Sequence, residues 1–136
     1  MNADPLKKPR VVLADDSERI LKIVARTLAS QCEVEIVGAV QNGELAIDAV
    51  REMQPDVLIL DVYMPLMDGI QTARYLRTIG VRTKIIFLTG LCDPSFRKAA
   101  MEAGADAFVC KPQLFTDLAR AVFAVLAGQT FLSSDT

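Results

Sequence analysis

Five short runs of apolar residues recur along the chain, and a longer segment with helical periodicity follows each of them. Four of these runs are continuous, which is typical of strands buried on both faces of a parallel sheet. The run that begins with Glu33, Val34, Glu35 and Ile36 alternates instead, as expected for a half-exposed strand at a sheet edge. The predicted strands are Val11–Ala14, Val34–Val40, Val57–Leu60, Ile85–Leu88 and Ala107–Cys110.

The segments between the runs carry the start and stop signals of helices. The first segment repeats Ile20, Val24 and Leu28 along one stripe, which predicts an amphipathic helix. The other helices are bounded by cap residues, glycine or proline. Those boundaries are Asn42-Gly43 and Pro55, Asp68-Gly69 and Gly80, Asp93-Pro94 and Gly104, and finally Leu114 and Ala127.

Strands and helices that alternate within 136 residues predict one α/β domain. Parallel strands need right-handed crossover connections, so helices should cover both faces of a doubly wound, five-stranded sheet in three layers. We assign residues 10–128 to this domain. Residues 1–9 form an N-terminal tail, and residues 129–136 form a C-terminal tail or the start of a linker to an output domain that is absent here.

Polar residues stand at the carboxyl ends of four predicted strands. Asp15 and Asp16 follow the first strand, Asp61 the third, Thr89 the fourth and Lys111 the fifth. In an open parallel sheet all carboxyl ends lie at one edge, where ligands bind at the point of reversed strand order. We therefore expect these five side chains to converge on one small site.

Such a site suits phosphoryl chemistry. Carboxylates that lie close together repel one another, and a hard divalent cation such as Mg²⁺, or Mn²⁺ in its place, relieves that repulsion. Lys111 adds a positive charge and Thr89 a hydroxyl donor, which together fit an anionic, oxygen-rich group. An aspartate can be the nucleophile that forms an acyl phosphate. The constellation therefore predicts metal-assisted phosphoryl transfer to a carboxylate.

Each of these residues also has an ordinary explanation when taken alone. Asp15 and Asp16 could cap the first helix, Asp61 could cap a turn, Lys111 could lie on the surface, and Thr89 could satisfy a loop backbone. The functional interpretation depends on all of them occurring together at matching strand ends.

Composition narrows the class of function further. Fifteen basic and seventeen acidic residues give a net charge of −2, so no basic surface for nucleic acid or membrane is indicated. The chain has no histidine, which removes the usual general base and zinc ligand and any phosphohistidine of its own. Three cysteines without CxxC spacing and the lack of a long apolar run favour a soluble cytoplasmic protein.

Several stretches, in this order and spacing, resemble the receiver domains of two-component response regulators. The matching segments are VVLADDS (11–17), DVLILDVYMPLMDG (56–69), IIFLTG (85–90), AGADAFVCKP (103–112) and LARAV (118–122). The resemblance spans nearly the whole chain and implies the CheY-like, flavodoxin-like (βα)5 fold with strand order 2-1-3-4-5.

The resemblance also implies a role for each matching residue. Asp61 would be the phosphoacceptor, and Asp16 and Asp61 would bind Mg²⁺ together with the backbone carbonyl of Tyr63, with Asp15 acting through water. Thr89 would contact the phosphoryl group, and Lys111 would pair with the carboxylate or the phosphoryl oxygens. Phe108 would be the aromatic switch that rotates inward when Thr89 moves, and the Lys111–Pro112 peptide bond would be cis.

Partners follow from the same resemblance. The donor would be a sensor histidine kinase, a phosphotransfer protein or a small phosphodonor, and the output face would be the fourth helix, fifth strand and fifth helix. Leu114, Leu118, Ala121, Val122 and Val125 should pack on the sheet, which leaves Phe123, with Ala119 and Ala124 nearby, on an outer face suited to a homodimer. The tail LAGQTFLSSDT resembles the junction before a LuxR-type helix-turn-helix domain, so DNA binding would belong to an output domain absent from this chain.

Three other functions remain open at this point. A stand-alone receiver would act by protein contact alone. A metal-dependent phosphohydrolase with Asp61 as nucleophile would turn over, but such enzymes place a carboxylate two residues later, where this chain has Tyr63. A flavodoxin-like cofactor binder is disfavoured because Asp15 and Asp16 would repel a cofactor phosphate. We therefore predict a signalling phosphoacceptor and not an enzyme.

Overall fold

A computed structural model describes residues 7–133, and five strand–helix units follow one another along them. The strands are β1 (Arg10–Ala14), β2 (Glu35–Val40), β3 (Val57–Leu60), β4 (Lys84–Thr89), β5 (Ala107–Cys110) and β6 (Phe131–Leu132). The helices are α1 (Glu18–Gln31), α2 (Gly43–Met53), α3 (Gly69–Thr78), α4 (Pro94–Glu102) and α5 (Leu114–Leu126). The outer parts of the two expected tails, residues 1–6 and 134–136, lie outside the described residues.

All strands of the sheet are parallel, and their order is β2-β1-β3-β4-β5-β6. The predicted α/β class and the order 2-1-3-4-5 are confirmed. β2 is the partly exposed edge strand that its alternating sequence indicated, while β3 and β5 are buried throughout. The chain order reverses between β1 and β3, so the carboxyl ends of these two strands flank a crevice at that edge.

Two hydrophobic cores, one on each face of the sheet, hold the three layers together. One core packs α1 and α5 against residues such as Leu13, Ile59 and Val109. The other packs α2, α3 and α4 against residues such as Leu58 and Phe87. Because successive side chains of a strand point to opposite faces, a strand that contributes to both cores must be apolar at every position. This requirement explains the continuous apolar runs.

The helix boundaries follow the local signals in the sequence. Ser17 Oγ accepts the Ile20 amide at 3.2 Å, and Asn42 Oδ1 accepts the Leu45 amide at 2.8 Å. A reciprocal capping box joins Asp68 and Gln71 at the start of α3. Asp93 occupies the predicted N-cap position of α4, although its side chain makes no capping hydrogen bond.

The sixth strand was not predicted. After α5, the chain turns back at Gly128, whose φ is +81°, and β6 pairs in parallel with β5. Two residues, Phe131 and Leu132, are too short a run to carry a periodic signal, so the sequence reads as an irregular tail there.

Two expectations are wrong. No peptide bond within residues 7–133 is cis, so the Lys111–Pro112 bond is trans, the lower-energy isomer, and it opens a 3₁₀ turn (Lys111–Gln113) that leads directly into α5. Ala119 is buried and does not belong to the outer face of α5, because α1 packs along that side of the helix, where Gln31 donates to the Phe115 carbonyl.

No helix within residues 7–133 combines the length and the apolar character needed to cross a membrane.

Candidate functional site

An ion triad lies at the carboxyl edge of the sheet. Lys111 Nζ is 2.9 Å from Asp61 Oδ2 and 3.0 Å from Asp15 Oδ2, so one ammonium bridges two carboxylates. Both aspartates are almost fully buried, at 4% and 5% exposed, and the lysine reaches them from the end of β5, past the end of β4. The structure thus brings together three of the residues that the sequence places at separate strand ends.

The backbone fixes these carboxylates before any side-chain contact forms. The Asp15 amide donates to the Val40 carbonyl at 3.1 Å, and the Asp61 amide donates to the Ala14 carbonyl at 3.0 Å. These bonds extend the strand pairing by one residue on each side of β1. The aspartates therefore stand on the rigid sheet and not on a mobile loop.

The third carboxylate completes a possible cation site. Asp16 is exposed, and its carboxylate lies with those of Asp15 and Asp61 so that one oxygen from each is within 4.8 Å of the others. Carboxylate oxygens are the preferred ligands of Mg²⁺, and one exposed ligand leaves room for the waters that this ion retains. The donor set therefore fits a hard divalent cation.

Burial and hydrogen bonds to the opposite charge shift the pKa values within the triad in opposite directions. Burial raises the pKa of Asp15, and the Asp61 charge adds to this, while the Ser17 amide and the Lys111 ammonium partly offset it. Burial lowers the pKa of Lys111, but its hydrogen bonds to Asp61 and Asp15 outweigh that effect, so its pKa is raised overall. Lys111 therefore carries its charge at neutral pH and compensates the buried acids.

The two oxygens of Asp61 differ in their engagement. Oδ2 accepts the short bond from Lys111, whereas Oδ1 accepts a longer contact of 3.4 Å from the Tyr63 amide. Oδ1 is thus the less constrained oxygen of a carboxylate that is held in place by the other.

Thr89 lies at the end of β4, beside Cys110 of β5 and therefore one residue from Lys111 in register. It is buried, and its hydroxyl accepts the Leu91 amide at 3.2 Å. Asp15 similarly accepts the Ser17 amide at 2.8 Å. The ordinary loop contact considered for Thr89 therefore exists, whereas Ser17, and neither Asp15 nor Asp16, caps α1.

The other predicted residues lie in different environments, and so does Leu91, which follows Thr89 by two positions. The Tyr63 side chain is 73% exposed on the loop after β3, while Leu91 packs partly against the core beneath α4. Phe108 is fully buried among core residues of β5, so its ring already points inward. Phe123 is 58% exposed on α5, far along the helix from the triad.

Two features of the site escaped the sequence analysis. Gly69 lies so close to Asp61 that an added Cβ would come within 2.0 Å of the Asp61 carbonyl oxygen. Ser133 donates its hydroxyl to Asp117 Oδ2 and accepts the Cys110 amide of β5 beside Lys111. The sequence could have indicated a buried role for Asp117, because a charged residue next to the apolar stripe of α5 needs a buried partner. The partner, Ser133, could not be identified, because it lies in a tail without a periodic pattern.

Comparison with known proteins adds an independent finding. The family model described as response regulator receiver domain matches residues 11–123. The transcription regulator BvgA of virulence factors from Bordetella pertussis is 30% identical over 125 residues, which is 92% of this chain and 60% of BvgA. This chain thus spans less than two thirds of that relative.

Solved structures agree with this similarity. A LuxR-family two-component response regulator from Aurantimonas sp. SI85-9A1 superposes with a TM-score of 0.90 at 27% identity, over 95% of this chain and 92% of that one. The signal receiver domain of NarL from Mycobacterium tuberculosis gives 0.86 at 31% identity, over 90% and 99%. RcsB, whose structure is described as two dimers bound to two parallel DNAs, gives 0.86 at 27% identity, over 94% and 64%.

Proposed function

This chain belongs to the response regulator receiver domains, and on that premise we propose that it accepts a phosphoryl group on Asp61 from a sensor histidine kinase or phosphotransfer protein. The observation that carries the proposal is the Lys111 ammonium within 3.0 Å of both buried carboxylates. A donor protein is required for transfer from histidine because the chain contains none.

The transfer step uses the arrangement of Asp61. A carboxylate oxygen forms a bond to phosphorus while the bond from phosphorus to the leaving imidazole nitrogen, or to the acetate oxygen of acetyl phosphate, breaks with its electron pair. Lys111 is already hydrogen-bonded to Asp61 Oδ2, so its ammonium lies close enough to donate to an oxygen of the incoming group. The Thr89 hydroxyl would supply a second donor once it leaves the Leu91 amide.

A Mg²⁺ or Mn²⁺ ion fits the donor set of Asp15, Asp16 and Asp61, and we propose the Tyr63 carbonyl as a further ligand. Such an ion supplies charge neutralisation for the transferred group. Asp16 and Asp61 would bind it directly, and Asp15, which already accepts from Ser17 and Lys111, would act through water.

Output would follow from a shift between two conformations. Thr89 and Phe108 stand on adjacent strands and are the proposed switch pair, and the face formed by α4, β5 and α5 would change with them. The relatives named as transcription regulators favour control of transcription in the cytoplasm, through an output domain that would bind DNA. Phe123 on that face is the proposed contact of a homodimer.

The rival function is a phosphohydrolase that uses Asp61 as nucleophile. Position 63 is the place of the second carboxylate in such enzymes, and here an exposed tyrosine occupies it, which argues against turnover. Excess acetyl phosphate and Mg²⁺ should give one fast equivalent of acetate per chain, followed only by slow release. Continued fast release at a constant rate would support the hydrolase and contradict the proposal.

A further inference from the structure

The tail after α5 is joined to the end of β5 by a buried hydrogen-bonded bridge. Ser133 Oγ accepts the Cys110 amide at 3.2 Å and donates to Asp117 Oδ2 of α5 at 2.8 Å. Both polar side chains are buried, with Ser133 at 3% and Asp117 at 8% exposed. A buried hydroxyl that satisfies both a strand amide and a carboxylate is costly to separate from either partner.

The same segment is held at two further places. The Phe131 and Ser133 amides donate to the Asp106 and Phe108 carbonyls at 3.3 and 2.9 Å, which forms the short β6 ladder. Arg120 lies 5.5 Å above the Phe131 ring and 3.6 Å from Asp117 Oδ1. Asp117 is therefore the common anchor of the tail, through Ser133 directly and through Arg120 and Phe131.

The bridge lies one peptide away from the ion triad. Cys110, whose amide Ser133 accepts, directly precedes Lys111, and Lys111 begins the short turn that leads into α5. A displacement of the Lys111 backbone must therefore act on the Cys110 amide and on the start of the helix that carries Asp117. The Cys110 bond, at 3.2 Å, is the longer of the two bonds that the Ser133 hydroxyl makes.

Resting on the proposed function, we propose that the Cys110–Ser133–Asp117 bridge couples the state of Asp61 to the tail segment 129–133. A phosphoryl group on Asp61 brings three further oxygens beside Lys111 Nζ, which now lies 2.9 Å from Asp61 Oδ2. Lys111 moves outward to make room, the Cys110 amide leaves Ser133, and the tail strand opens from β5. The tail is thus closed without phosphate and released with it.

Hydrogen exchange of the peptide that contains residues 129–133 tests this coupling in the full 136-residue chain. Acetyl phosphate with Mg²⁺ should accelerate hydrogen exchange of this peptide at least about tenfold. Loss of one hydrogen bond to a buried partner favours the open tail by roughly that factor. In Ser133→Ala the same peptide should exchange fast without acetyl phosphate, and the addition of acetyl phosphate should not accelerate its exchange further. Thr130→Val, an exposed change in the same segment, should behave as the wild type does.

Beryllofluoride, a mimic of the phosphoryl group, gives a second measurement. Coupling free energies between two sites are reciprocal. Ser133→Ala, in which the tail is already open, should therefore bind beryllofluoride with Mg²⁺ more tightly than the wild type does. The gain in affinity should be about the factor by which beryllofluoride increases tail opening in the wild type. Slow exchange in peptides from β1 to β4 establishes that the variant is folded.

The outcomes separate this proposal from the one on which it rests. A wild-type chain that gains one phosphoryl group while its tail stays protected overturns the coupling and leaves the phosphoacceptor function intact. Acceleration that persists in Ser133→Ala, or unchanged beryllofluoride affinity, overturns it as well. A chain that gains no phosphoryl group overturns both.

Discussion

Gly69 lies against the backbone of Asp61 at a point where no side chain fits. Its amide donates to the Val62 carbonyl at 2.7 Å, and its Cα faces the Asp61 carbonyl so closely that a methyl group would lie 2.0 Å from that oxygen. The start of α3 therefore packs directly against the backbone of Asp61. The sequence indicated Gly69 only as part of the start of a helix.

Gly69→Ala should lower the free energy of unfolding by about 1–3 kcal/mol, because the added Cβ would meet backbone that cannot rotate away. Urea denaturation measures this change. Gly90→Ala is the control, since nothing lies within 4 Å of its added Cβ, and it should stay within about 0.5 kcal/mol of the wild type. Equal effects of the two changes would show that the close approach is not rigid.

Tyr63 and Leu91 offer neither a carboxylate nor an amide that could orient water, and Tyr63 extends into solvent beside Asp61. We expect these bulky side chains to shield the aspartyl phosphate and slow its hydrolysis, so that Tyr63→Ala shortens the phosphoryl lifetime several-fold. The decay of phosphorylated protein by mass, after donor removal with Mg²⁺ present, measures it. Tyr75→Ala on α3 is the matched control. A lifetime of only seconds in the wild type would contradict the shielding.

At the scale of elements, the strands and helices were largely predictable, because both cores demand a repeated pattern. Runs such as Val57–Leu60 are apolar at every position since each strand serves two cores, and the boundaries of α2 and α3 follow from cap residues. The convergence of Asp15, Asp61 and Lys111 was predictable for the same reason, since parallel strands share one carboxyl edge. β6 and the Ser133 bridge were not, because they depend on where an irregular tail returns in space.

Arg77 makes another set of tertiary contacts that no sequence pattern indicated. It joins α3 to the segment before β4 and to the loop before β5. From α3 its guanidinium donates to the Gly104, Val81 and Thr83 carbonyls and to the Asp106 carboxylate, at 2.8 to 3.0 Å. Asp106 also accepts the Ile85 amide at 2.9 Å, which ties the start of β4 to the loop before β5. This cluster holds the amino edge of the sheet, opposite the edge that carries Asp61 and Lys111.

Arg77→Met should therefore destabilise the fold by roughly 2–4 kcal/mol, because three carbonyls lose the Arg77 donor and the partly buried Asp106 carboxylate loses its cation. Thermal or urea unfolding measures the loss. Arg74→Met, an exposed position on the same helix, should be nearly neutral. A loss below about 0.5 kcal/mol for Arg77→Met would show that water replaces these bonds at little cost.

The whole molecule presents different exposed apolar residues on its two helical layers. Phe123 of α5 and Leu45 of α2 lie in opposite layers, at 58% and 47% exposed. If α5 forms the proposed dimer contact, Phe123→Asp should abolish phosphorylation-dependent self-association, whereas Leu45→Asp should leave it unchanged. Sedimentation velocity with and without acetyl phosphate distinguishes them. Unchanged self-association of Phe123→Asp would show that the α5 face is not the dimer contact.

We propose that buried Asp61, which pairs with Lys111 beside the carboxylates of a possible cation site, is the residue that takes up phosphate. Intact mass after incubation with acetyl phosphate, with and without Mg²⁺, tests it most directly. We predict a gain of one phosphoryl group in the wild type with Mg²⁺ and no gain in Asp61→Asn. An equal gain in Asp61→Asn, or none in the wild type, would contradict the claim.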